Sequence, residues 1–123
     1  MIIAHLILAT VTGLLFLMAG GAKLVVPIPK LREQMSFARE YTPAMVRFVG
    51  WTEVLGGLGT GLAAWLGIQP WISVVAALGL VCVMALAARF HLIHDERSDI
   101  PKNVVLGLLA LATAVVGALR LLG

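Results

Sequence analysis

Four apolar stretches, each long enough to cross a bilayer, follow one another along the chain. They cover residues 2–25, 44–66, 71–91 and 103–121. An α-helix rises 1.5 Å per residue, so about 20 apolar residues span the hydrocarbon core. In lipid the backbone has no water to bond, and a helix satisfies its polar groups internally. Composition points the same way. Of 123 residues, 61% are hydrophobic and only 12% charged, with a mean hydropathy of +1.05. A soluble domain carries about 25% charged residues. This chain lacks the polar surface to cover itself in water, so the lipid bilayer is its expected surrounding. The expected fold is all-α: a polytopic membrane protein, residues 1–123 forming one four-transmembrane-helix antiparallel bundle. The last stretch is somewhat short, which local thinning or snorkelling accommodates.

The N-terminus has no positive n-region, and its apolar stretch exceeds a signal-peptide core. A span is expected there rather than a cleaved leader. Pro27 and Pro29 stop the first helix. Residues 30–41 form the only extended polar segment. Leu31, Met35, Ala38 and Tyr41 fall at helical spacing within it. That pattern predicts a short helix, either amphipathic, at the membrane surface or folded over the bundle mouth, or merely solvated in the loop. Thr42 and Pro43 restart the chain as N-cap and first-turn proline. Residues 66–70 make a tight uncharged turn, and residues 95–101 a charged connector.

Charge predicts topology. Lys23, Lys30, Arg32, Arg39 and Arg47 flank the first connection, and Arg89, Arg97 and Lys102 the second. Only Arg120 lies on the other face. The bias puts both charged connectors in the cytoplasm and both termini outside. It also explains the net charge of +3, so no nucleic-acid partner is invoked. Trp65 and Trp71 flank the uncharged turn, as an aromatic belt requires. Trp51 lies deeper, and the belt does not explain it.

Glu53 stands out. A carboxylate inside a membrane-length apolar run costs a few kcal/mol, roughly 2.5–3.5 for Asp by insertion scales. Gly50, Gly57 and Gly61 share its helical face, and such small-residue faces allow close helix approach. Glu53 is therefore expected to point into the bundle. Lys23, Arg89, His91 and Asn103 reach the same end from the other three spans. A buried carboxylate needs a cation or several donors, or else it takes up a proton. These five residues make the candidate ligand site, a pocket with a polar floor. Lys23, Arg89 and Asn103 also sit where snorkelling anchors are common.

Other chemistries find little support. His5 and His91 lie at opposite ends of the spans, so one metal cannot take both. His91 and His94, near Asp95 and Glu96, supply too few ligands in a defined geometry. No metal or haem site is expected. The single cysteine, Cys82, forms no redox pair. No phosphate loop, nucleophile–base pair or dinucleotide fingerprint is present, and no reaction is assigned.

The run Phe16-Leu17-Met18-Ala19-Gly20-Gly21-Ala22-Lys23-Leu24 resembles the end of helix one in the DoxX-like membrane protein family. Gly50-Trp51-Thr52-Glu53-Val54-Leu55-Gly56-Gly57-Leu58-Gly59 resembles its second-helix signature. Arg89-Phe90-His91 and Pro101-Lys102-Asn103-Val104-Val105-Leu106 also fit. The resemblance implies a four-helix bacterial inner-membrane protein. Its wider family is linked to quinone-coupled thiosulfate oxidation, to oxidative-stress complexes and to receptor assembly. The family pattern points to Lys23, Glu53, His91 and Asn103, with Arg89 next. Three functions follow as expectations. One is a subunit of a redox or stress-response system binding a lipophilic small molecule or quinone. Another is a non-catalytic chaperone or assembly subunit with a membrane-protein partner or a second copy of itself. The third is a proton-coupled small transporter.

Overall fold

A computed structural model of the chain describes residues 2–34, 42–67, 69, 71–93 and 100–122. At Arg32, Gln34, His91 and Ile100 only the backbone course is described. Four long helices and one short one make up these residues: α1 (Ile2–Val25), α2 (Ile28–Gln34), α3 (Pro43–Leu66), α4 (Trp71–Ile93) and α5 (Ile100–Leu122). The long helices alternate in direction and close a ring. α1 packs on α3, α3 on α4, α4 on α5, and α5 back on α1. This is the expected antiparallel bundle. Three of the four, over Ile2–Val25, Trp71–Phe90 and Pro101–Leu122, are both long and apolar enough to cross a membrane. α3 matches them in length, but Arg47, Glu53, five glycines and two tryptophans dilute its apolar character.

The helix ends follow local chemistry. Thr42 caps α3 from an extended conformation, its Oγ1 accepting the Met45 backbone N–H at 3.2 Å. At the other end Gly67 adopts a left-handed conformation (φ 68°), and its N–H bonds to the Ala63 carbonyl. Glycine reaches that conformation at little cost, which is why it ends helices. α2 begins earlier than the polar segment suggests, because Pro29 is tolerated in a first helical turn. Leu31 of α2 is fully buried against Val46, Val26 and Ile28. The short helix is thereby folded onto the α1–α3 end of the bundle, one of the placements expected. The remainder of the predicted amphipathic helix, residues 35–41, lies outside the described residues, as does most of the 95–101 connector.

The most extensive contact joins α1 to α3, and glycines set it. Gly13 faces Gly57 and Gly20 faces Gly50. A Cβ on Gly13 would lie 2.9 Å from the Gly57 carbonyl oxygen, and one on Gly20 only 2.6 Å from that of Gly50. The two backbones touch, as small-residue seams in membranes permit. The outer faces are strongly apolar. Met18 is 71% exposed and Trp51 is 56% exposed, among many leucines and valines. A surface of this kind suits acyl chains and not water. It also accounts for Trp51, which points outward.

Candidate functional site

Each helix buries one narrow face, and polar residues lie on those faces. The buried face of α1 carries His5, Ala9, Thr12, Phe16 and Gly20; that of α3 carries Val46, Gly50, Glu53, Gly57, Thr60 and Ala64. Ser73 on α4 and Thr113 on α5 are also fully buried. These groups separate into two centres with hydroxyls between them.

The first centre lies at the basic end. Glu53 is 1% exposed, and Lys23 Nζ lies 2.8 Å from its Oε1. The contact is an ion pair by distance without the direction of a good hydrogen bond. Among the described residues, Oε2 has no hydrogen-bond partner. Gly20 makes the room: a Cβ there would sit 2.9 Å from the Glu53 Cβ. Arg47 ties the same end together. Its Nη1 donates to the Lys23 carbonyl and, at 3.2 Å, to that of Val26. These carbonyls, at the C-terminal end of α1, lack helical partners and welcome a cation. Asn103 on α5 is half-buried, and its Nδ2 has no partner among the described residues. The antiparallel register of α5 on α1, set by Gly117 beside His5 and Thr113 beside Thr12, carries Asn103 to the level of α1's last turns. Arg89 lies exposed on α4. His91 falls within α4, but its side chain is outside those described. The structure therefore brings Lys23 and Glu53 together and sets Arg89 on the surface.

The second centre, at the opposite end, joins all four long helices. Arg120 Nη1 donates to His5 Nδ1 (3.1 Å) and to the Ala64 carbonyl (2.8 Å). Arginine only donates, so His5 Nδ1 must carry a lone pair. The imidazole is then neutral with its proton on Nε2. That proton goes to Ser73 Oγ at 3.0 Å, and Ser73 donates onward to the Thr60 carbonyl at 2.7 Å. The chain of bonds leaves α3 at Ala64, passes α5, α1 and α4, and returns to α3 at Thr60. Between the two centres, Thr12 and Thr113 pair at 2.9 Å. Ser73 and His5 stand at nucleophile–base distance, yet the third member is a guanidinium. A hydrolytic triad places a carboxylate there, to stabilise imidazolium. Arginine does the reverse, and the Ser73 proton is committed to a carbonyl. The arrangement is a structural latch.

The model of the DoxX-like family matches residues 7–113. The chain belongs to the DoxX-like family. No curated protein and no solved structure matches the chain significantly. The matched stretch contains Lys23, Glu53, Arg89, His91 and Asn103, so the first centre of this DoxX-like protein lies within the shared pattern. His5, Gly117 and Arg120 fall outside it. Sequence reasoning weighed His5 only as a metal ligand and Arg120 only as an exception to the charge bias. A signal was present: His5, Thr12 and Gly20 share one helical face, as do Glu53 and Thr60.

Proposed function

We propose that the Lys23–Glu53 centre receives the polar head of a lipophilic small molecule, a quinone or a compound like it. The protein would act as a subunit of a redox or stress-response system in the bacterial inner membrane, with its charged connectors in the cytoplasm. One observation carries the reading. Two buried polar atoms at one end, Glu53 Oε2 and Asn103 Nδ2, have no partner among the described residues. In a membrane interior no bulk water satisfies them, and leaving them unbonded is costly. A carboxylate oxygen accepts and an amide donates. A quinone carbonyl would accept from Asn103, and a quinol hydroxyl would donate to Glu53. Lys23 Nζ, 2.8 Å from Oε1, brings a positive charge beside them.

The test is binding of a short-chain quinone to the full chain in lipid nanodiscs. Glu53→Gln is expected to weaken it about tenfold, the scale of a hydrogen bond to a charged group. Unchanged binding by a folded Glu53→Gln protein rejects the site. A second reading, an assembly subunit without chemistry, draws on Gly21 and Gly79. A Cβ at either would meet nothing within 4 Å, which leaves room for a partner helix. Site-directed crosslinking at Gly79 in native membranes tests it, and the absence of any reproducible product would remove its support.

A further inference from the structure

We infer that Arg120 and the groove beside it form a phospholipid site, with a lipid phosphate on the outward edge of the guanidinium and an acyl chain between α3 and α4. The first reason is charge. Lys23, half-buried at the basic end, has Glu53, and Arg47 beside it rests on the carbonyls that end α1. Arg120 is half-buried, and its partners are His5 Nδ1 and a backbone carbonyl, both neutral. No carboxylate meets it among the described residues. The Ala64 carbonyl, in the last turn of α3, supplies only a partial negative charge; a full anion would meet the guanidinium better, and the phosphate of a lipid is the anion at hand at the end of a span.

The second reason is geometry. Nη1 is held inward by its two acceptors, which fixes the guanidinium plane. Nη2 is then left against the α3–α4 turn: a Cβ on Gly67 would lie 3.4 Å from it. Gly67 is exposed and has no side chain to lie over this edge. Arginine offers a planar fork that matches phosphate oxygens two at a time. The third reason is the groove. Leu55, Leu58, Leu62, Leu66 and Ile72 line it, with Gln69 at its rim. The four leucines form one stripe roughly 16 Å long on α3, and the stripe ends at the same turn that Arg120 abuts. Trp65 and Trp71 are exposed on either side of the turn, the position such residues take at headgroup depth. An apolar strip that runs up to a cation with no carboxylate partner among the described residues has the chemistry of a phospholipid.

The full chain, purified in neutral detergent, is titrated with phosphatidylglycerol and with a neutral galactosyl lipid of matched chains. Bound lipid is counted by native mass spectrometry. Wild type is expected to prefer phosphatidylglycerol about fivefold, the effect of one basic residue near an anionic headgroup. Arg120→Gln removes the preference, and Arg120→Lys, which keeps the charge but not the fork, retains part of it. Leu62→Trp, on an outward-facing position, lowers binding of both lipids alike and leaves the ratio intact. Should Arg120→Gln fail to fold, the wild-type ratio and Leu62→Trp still decide. Equal retention of the two lipids by wild type overturns the proposal. So does a folded Arg120→Gln protein with an undiminished preference, or a Leu62→Trp protein that binds as wild type does. Displacement of phosphatidylglycerol by millimolar inorganic phosphate would assign the edge to a free anion and overturn the lipid.

Discussion

The two ends of this bundle bury cations in opposite ways. At the basic end Lys23 meets a carboxylate, across the single α1–α3 contact. At the other end Arg120 meets, among the described residues, only neutral acceptors, but the bonds run through all four long helices. The first centre concentrates charge and leaves polar atoms without partners among the described residues. The second spreads one charge over a latch in which each member has a partner. Binding needs unmet valence, and rigidity needs it met, so the two centres suit different tasks.

The contrast breaks most sharply at Lys23. Lys23→Ala strands the Glu53 carboxylate in the bundle, and breaking a buried pair this way costs about 3–5 kcal/mol. Thermal unfolding in detergent measures it. The double variant Lys23→Met with Glu53→Leu is expected to recover most of the loss, because an apolar pair of similar volume suits the interior. A double variant no more stable than Lys23→Ala would mean that the two residues do not act as a unit.

A smaller effect separates the two glycines that make room for the buried side chains. Gly20→Ala drives a Cβ into backbone, the Gly50 carbonyl and the Val54 nitrogen, at 2.6 and 2.8 Å. Gly117→Ala meets side chains instead, His5 Nε2 at 2.8 Å and Val74 Cγ2 at 2.9 Å. Overpacking costs about 1–3 kcal/mol. Backbone cannot swing aside, so Gly20→Ala should fall at the top of that range and Gly117→Ala at the bottom. The reverse order in unfolding experiments would mean that the α1–α3 seam is looser than its glycines suggest.

The smallest effect belongs to one member of the latch. Ser73→Ala removes two hydrogen bonds between helices, the one from His5 and the one to the Thr60 carbonyl, each worth about 0.6 kcal/mol on average and at most about 1.7 in a membrane. A loss well beyond the sum for two bonds would show the links to be cooperative. Amide exchange near Thr60 and His5 reports the same change locally.

Much of the fold was legible in the sequence because lipid leaves a chain few options. Four apolar runs are enough to predict four helices, and Thr42-Pro43 and Gly67 mark the two ends of α3. Glu53 was legible as an inward-facing acid, since its glycine-marked face was visible at helical spacing. What was not legible is which basic group it meets. Lys23, Arg89 and His91 all reach that end in a one-dimensional reading; only the rotation of α1 against α3, set by Gly20 and Gly50, selects Lys23. The second centre was missed for a related reason. His5 and Arg120 are 115 residues apart, and each has a bland explanation alone. Their meaning comes from the closure of α5 onto α1, which local pattern does not encode.

The loop of bonds that starts and finishes on α3 restricts how the molecule can move. Rolling α1, α4 or α5 about its own axis strains two links at once, one to each neighbour in the loop. That end is riveted. At the far end the α1–α3 seam is held shut by Gly20, Gly50 and Arg47, so the freedom left to the bundle there belongs to α4 and α5.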